Sequence, residues 1–122
     1  MTPNRKELGG RGETLAADYL RHIGWEILRM NYLSKGGEVD IIARRNGQLL
    51  FVEVKYRTDL SLGHPAESIT RDKLRRIRRA AVAYLQSDAC VPHSAIKFDA
   101  ICIVEIPGVD LTLEHIEDIL GP

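Results

Sequence analysis

Residues 38–56 read EVDIIARRNGQLLFVEVKY, and the fold turns on this stretch. Asn46-Gly47 lies between two apolar-rich runs, which is the strongest short-range signal for a β-hairpin. A two-residue loop fixes strand register. Arg45 then pairs with Gln48, and counting back places Asp40 opposite Glu53 and Glu38 opposite Lys55. Opposed residues share one face of a sheet. Alternation along the strand also puts Glu53 and Lys55 on one side. Glu38, Asp40, Glu53 and Lys55 are therefore expected to cluster. The other face carries Val39, Ile41, Ala43, Leu50, Val52 and Val54, a core set. Nearer the turn the charged face carries Ile42, Leu49 and Phe51. Apolar residues on both faces imply a strand pair covered on both sides. The carboxylates thus belong at the edge of a buried surface.

Outward from the hairpin, helical spacing of Leu8, Leu15, Ala16, Tyr19, Leu20 and Ile23 predicts a first helix over about Arg11 to Ile23. Gly24 is a natural stop, while Gly9, Gly10 and Gly12 soften its start. Trp25 to Tyr32 reads as a strand with Trp25, Ile27 and Arg29 on one side, and residues 34–37 as a turn. Beyond the hairpin, Thr58 to Glu67 is a polar loop. Thr70 suits the N-cap of a second helix, Arg71 to Ser87, whose apolar stripe is Leu74, Ile77, Ala81, Tyr84 and Leu85. Ile96 to Ile106 is a further strand, ended by Pro107-Gly108. Leu111 to Leu120 fits either strand or helix. The order αβββαβ predicts an α/β fold, a central mixed β-sheet flanked by helices. A length of 122 residues suits a single domain spanning residues 1–122.

The 17 basic and 17 acidic residues cancel, so net charge points to no partner. Their distribution says more: Arg71 to Arg79 holds six bases and one acid, whereas Phe98 onward holds six acids and no Lys or Arg. That asymmetry hints at a polyanion-binding face. Cys90 and Cys102 lack metal or disulfide spacing and are expected in the core, as in a reducing cytoplasm. No signal peptide or membrane span is expected from the hydropathy.

Two carboxylates about 5 Å apart across a strand pair repel each other. Protonation, a lysine or a metal ion can relieve this. Lys55 is one cation against two or three acids, so a hard divalent cation would complete the neutralisation. Mg²⁺ or Mn²⁺ suits oxygen ligands, with Asp40, Glu53 and the Val54 carbonyl as donors. Zinc is disfavoured because no His or Cys falls nearby. Such a site can hydrolyse a phosphodiester, with Lys55 orienting or deprotonating water or stabilising developing charge. The competing reading is a hairpin with a salt-bridged polar face.

Glu13 precedes Ala16 and Leu20 on the face expected to meet the sheet, so it either joins the site or caps the helix start. Gly12 permits close backbone approach. On the second helix, Lys73 and Arg76 are placed to reach a bound phosphate, while Arg75, Arg78 and Arg79 point more outward. Their alternative role is solubility. His22, His64, His93 and His115 read as scattered structural or surface residues.

Asp40-x12-Glu53-Val54-Lys55, with Glu13 on a preceding helix, resembles the D…(D/E)xK site of the restriction-endonuclease-like nuclease superfamily. More of the chain agrees. Gly12-Glu13, Ala16, Tyr19-Leu20, Gly24-Trp25, Asn31-Tyr32, Gly37-Glu38-Val39-Asp40, residues 51–57, Lys73, Ile77, Ala81, Tyr84-Leu85 and Phe98-Asp99 resemble the YraN-like family of small bacterial proteins related to Holliday-junction resolvases. The resemblance covers nearly the whole chain. It implies that Asp40 and Glu53 are metal ligands, Lys55 the catalytic lysine and Glu13 an additional acidic site residue. Lys73 matches the basic position of the family's second helix. Val39 stands where the wider superfamily often has proline.

The sequence thus leads to a Mg²⁺- or Mn²⁺-dependent endonuclease acting on DNA, including branched or damaged DNA. The alternatives are a nucleic-acid-binding protein of nuclease fold that does not cut, and a protein-interaction module with a vestigial site. A symmetric junction substrate would favour a homodimer.

Overall fold

A computed structural model describes residues 5–61 and 63–121, with side chains from Gly10 onward; Leu8 and Gly9 lie outside the described side chains. The elements are α1 (Arg5–His22), β1 (Glu26–Ser34), β2 (Gly37–Arg45), β3 (Gln48–Arg57), a 3₁₀ turn (Pro65–Ser68), α2 (Arg71–Leu85), β4 (Ala95–Val104) and β5 (Thr112–Ile116). The strands form one sheet in the order β1-β2-β3-β4-β5. β3 and β4 are parallel, and the other neighbours are antiparallel. α2 provides the crossover that a parallel pair requires. This is the expected α/β arrangement, and the ambiguous last segment supplies a fifth strand at the sheet edge.

Asn46 and Gly47 turn the chain at φ 50° and 79°. Both lie in the left-handed region that the tight hairpin turn demands. Arg45 pairs with Gln48, and the ladder continues to Ile41 opposite Val52. Beyond that pair the Asp40 carboxylate takes over, accepting a hydrogen bond from the Val54 N–H at 2.7 Å.

Each face of the sheet has its own apolar cluster. On the α1 side, Ala16, Ala17 and Leu20 pack with Trp25, Ile41, Ala43, Leu50, Val52, Ile101 and Ile103. On the α2 side, Ile77, Ala80, Ala81 and Tyr84 pack with Val39, Ile42, Leu49 and Phe51. Val39 therefore departs from its expected place beside Ile41. Strand alternation slips at Asp40, whose neighbour Asn31 in β1 sits at φ 52°. Arg29 likewise does not follow Trp25 and Ile27. A bulge between Ile27 and Arg29 shifts the strand by one residue, and Met30 joins the α1-side cluster instead.

Two glycines set how closely the helices approach. A Cβ on Gly12 would stand 2.6 Å from the Cβ of Tyr56, so α1 lies directly on β3. A Cβ on Gly37 would stand 2.6 Å from the Ala80 nitrogen and the Arg76 oxygen, so α2 rests on the start of β2. The helix begins at Arg5 rather than Arg11, so the glycines expected to soften its start lie within it. The Thr70 hydroxyl caps α2 by accepting from the Lys73 N–H at 3.3 Å. Cys102 is buried as expected, whereas Cys90 is only half-buried. Among the described residues, no helix is long and apolar enough to cross a membrane.

Candidate functional site

Where β2 and β3 part, a cavity of about 260 Å³ opens between the sheet and the N-terminal half of α2. Glu38, Asp40, Glu53, Val54, Lys55, Lys73 and Arg76 line it. The four polar residues of the hairpin, Glu38, Asp40, Glu53 and Lys55, are thus brought to one place. The β2–β3 ladder ends at Ile41 opposite Val52, so Asp40 and Glu38 do not pair with Glu53 and Lys55 as counting from the turn predicts. Asp40 meets β3 through its carboxylate on the Val54 N–H instead, and strand alternation sets Glu53 beside Lys55. The α2–Gly37 contact delivers Lys73 and Arg76.

Asp40 is almost fully buried. Burial, then the charges of Glu53, Glu13 and Glu38, push its carboxyl up to about 8, against the opposing hydrogen bond from Val54. Glu13 has its carboxyl raised chiefly by burial, with Glu38 and Glu53 adding to it and Asn31 opposing. It therefore faces the same acidic group from α1. The Glu53 carboxylate bonds Lys55 Nζ at 2.8 Å, and both side chains are nearly buried. Burial works against the Lys55 charge, but its contacts with Glu53 and Lys73 prevail and raise its pKa. Burial and the adjacent Lys55 lower Lys73 to about 8. Arg76 reaches Glu38 at 3.5 Å.

The remaining bases divide. Arg79 lies along Gly36 of the β1–β2 turn. Arg75 pairs with Asp72 at 3.3 Å on the exposed side of α2 and does not line the cavity. Lys73 and Arg76 face the cavity, whereas Arg75 belongs to the outer surface.

Among the described residues, no three His, Cys, Asp or Glu side chains stand close enough to hold a metal ion by themselves. The donor set nonetheless suits Mg²⁺, which keeps several waters and needs only one or two carboxylates beside its substrate. Asp40 and Glu53 are the carboxylates that would supply these, and Val54 lines the cavity between strands.

A second polar group, on the opposite face, escaped the reading of the sequence. His115 on β5 joins Tyr19 on α1 to the fully buried Asp99 on β4. One signal was available: Asp99 stands at the head of the apolar run Ala100 to Ile103, which is core. Nothing local tied it to His115.

The class that fold and site define is an α/β protein with a mixed five-stranded sheet carrying a carboxylate–lysine cavity. Residues 12–103 match the family described as "Uncharacterised protein family UPF0102", and the chain belongs to it. It is 45% identical over 111 residues to a UPF0102 protein of Rhodococcus jostii (strain RHA1), covering 91% of this chain and 93% of that protein. A UPF0102 protein of Lachnoclostridium phytofermentans is 44% identical over 102 residues, 84% of this chain and 86% of its own. One of Chlorobaculum parvum is 46% identical over 97 residues, 80% and 74% respectively. This agrees with the family-level resemblance read from the motifs.

Proposed function

We propose that this protein is a Mg²⁺- or Mn²⁺-dependent endonuclease that hydrolyses phosphodiester bonds in DNA, with branched or damaged DNA among its candidate substrates. One observation carries the reading: three carboxylates, a lysine paired to one of them, and two further bases line a single cavity at the strand parting. In a solvated salt-bridged hairpin Asp40 would be exposed, but here it is buried beside other carboxylates.

Asp40, Glu53 and the Val54 carbonyl would hold the ion. When bound, the metal would polarise the phosphate and lower the pKa of a coordinated water. Lys55, held by Glu53, puts a fixed positive charge where negative charge develops on the phosphate oxygens. Lys73 and Arg76 bind and orient the phosphate from α2, and Arg79 extends the basic surface toward the β1–β2 turn. Glu38 completes the acidic wall, and Glu13, which does not line the cavity, adds its charge to the group from α1. A two-fold homodimer in the cytoplasm suits a symmetric branched substrate.

A second reading, DNA binding without cleavage, draws on the Glu53–Lys55 ion pair, because a Glu53 committed to lysine is a weaker metal ligand. A panel of linear, flapped and four-way DNA, incubated with Mg²⁺, Mn²⁺ or chelator, separates the two. Metal-dependent scission supports the endonuclease. Salt-dependent binding with no cut in either metal leaves the binding protein. No binding to any of the substrates would refute both.

A further inference from the structure

On the α1 face, about 340 Å³ of cavity is lined by Tyr19, Ile23, Trp25, Arg45, His115 and Glu117. It lies across the sheet from the carboxylate–lysine cavity. Two features of its wall stand out.

The first is Arg45. Its guanidinium lies over the Trp25 ring, 4.2 Å from the centroid. One N–H donates to the Ile23 carbonyl at 2.9 Å. The side-chain stem runs along Gly24, whose missing Cβ would stand 3.5 Å from Cδ. Arg45 has no carboxylate within salt-bridge reach among the described residues. It is a held cation, with most of its donors unspent, facing a cavity. A pre-set guanidinium loses little freedom on meeting an oxyanion and can bind it through two N–H groups.

The second is the hydrogen-bonded line Tyr19–His115–Asp99. The Tyr19 Oη to His115 Nδ1 distance is 2.8 Å, and His115 Nε2 to Asp99 Oδ2 is also 2.8 Å. Asp99 is wholly buried and also accepts from the Asp118 N–H at 3.1 Å. A carboxylate only accepts, so His115 Nε2 carries a hydrogen. With the imidazole neutral, Nδ1 is an acceptor and takes the Tyr19 O–H. With the imidazole charged, Nδ1–H donates to Tyr19 Oη, and the tyrosine O–H is released toward the cavity. One proton on His115 therefore converts Tyr19 from a spent donor into a free one.

The groups around His115 are compatible with this. Asp99 and Lys97 face it from β4, Tyr19 from α1, Arg45 lines the same cavity from β2, and Glu117 follows it in the chain. Lys97 stands 2.5 Å from Glu117 and 3.7 Å from Asp99, so it is shared between the two acids, and Arg45 is the cation in the cavity wall that neither acid takes up.

We propose that this second cavity binds a phosphate group, held by Arg45 and by the hydroxyl of Tyr19, with uptake of one proton by His115. The balance is simple: phosphate and a proton enter together, no covalent bond changes, and the proton resides on Nδ1. The shared chemistry is a phosphate, whether free or at the end of a nucleic-acid strand.

The test reads His115 directly. Inorganic phosphate, and separately a short 5′-phosphorylated oligodeoxynucleotide, are titrated into the ¹⁵N-labelled full chain near pH 7.5 while the ring nitrogens are followed by NMR. The expected result is conversion of His115 Nδ1 from acceptor to protonated nitrogen, with the same change absent in Arg45→Gln. The carboxylate–lysine cavity contains no histidine, so phosphate bound there leaves this signal unmoved. Tyr19→Phe should weaken binding about tenfold, the loss of one charge-assisted hydrogen bond. Response to free phosphate alone marks a small-molecule site, and response to the oligonucleotide marks a strand-end site; either supports the proposal. An unchanged Nδ1 with both probes, or an Arg45→Gln variant that remains folded and responds like the parent, overturns it.

Discussion

Replacing Asp40 by Asn should stabilise the protein in the absence of metal, increasingly so as pH rises. Asp40 moves from an ordinary 3.8 to about 8 because it is buried beside Glu53, Glu13 and Glu38. Between those values the folded chain binds more protons than the unfolded chain, so stability falls as pH rises through that window. From 3.8 to pH 7 the folded chain's extra proton costs at most about 4 kcal/mol, at ~1.36 kcal/mol per pH unit. The cavity is open and relaxes, so about 2 kcal/mol is expected to survive, corresponding to an effective dielectric well above that of a dry interior. Asparagine keeps an acceptor for the Val54 N–H and cannot ionise. Trp25 is the single tryptophan and is buried, so its fluorescence reports unfolding in urea. The parent and variant should unfold at nearly the same urea concentration near pH 4.5. By pH 8 the variant should lead by about 2 kcal/mol, or roughly 6–10 °C in Tm for a chain of this length. Saturating Mg²⁺ should reverse the order, since a ligand at a hundredfold excess over its Kd adds about 2.7 kcal/mol to the parent alone. A gap that does not widen between pH 4.5 and 8, or a variant less stable at pH 8, refutes the account of Asp40 as a strained buried acid.

Asp40→Ala and Glu53→Ala should each abolish cleavage and Mg²⁺ binding while the chain stays folded, checked by gel assay and calorimetry; wild-type cutting by either would remove the site assignment. Arg76→Glu should weaken DNA binding and reduce the slope of log affinity against log salt by about one, the loss of one phosphate contact. Arg75→Glu should do less, because Arg75 is spent on Asp72 outside the cavity; equal effects in a filter-binding titration would contradict that division. Gly37→Ala should cost at least about 2 kcal/mol in urea unfolding, because the new methyl meets α2 backbone that cannot yield locally. Truncating Phe51 to Ala should cost about 3–5 kcal/mol, because its ring is fully buried between Tyr84 and Phe98.

What could be read in the sequence was whatever local geometry controls. Asn46-Gly47 prescribes its own turn, and a two-residue turn leaves one register. Counting from the turn brought Asp40 near Glu53 and Lys55, although the ladder stops one pair short of Asp40 and the three meet as cavity lining rather than as paired residues. The Thr70 cap and the stripe of α2 were legible for the same reason, because hydrogen bonds and periodicity over a few residues specify them. Val39 was misplaced because the break in alternation comes from Asn31 and the bulge in β1, a neighbouring strand whose irregularity leaves no mark on β2 itself. The end of the chain could not be assigned, because a short segment becomes an edge strand only when β4 offers it a ladder.

The sequence by itself determined the hairpin, its register as far as Ile41 and Val52, and the placing of Glu53 beside Lys55, since short-range backbone geometry and strand alternation suffice for these. Tertiary packing alone decided the rest. α2 rests on Gly37 and so turns Lys73 and Arg76, but not Arg75, toward the acids. The helix α1 crosses the far face and brings Tyr19 to His115 and Asp99, residues whose meeting depends on how separate elements dock rather than on any spacing along the chain.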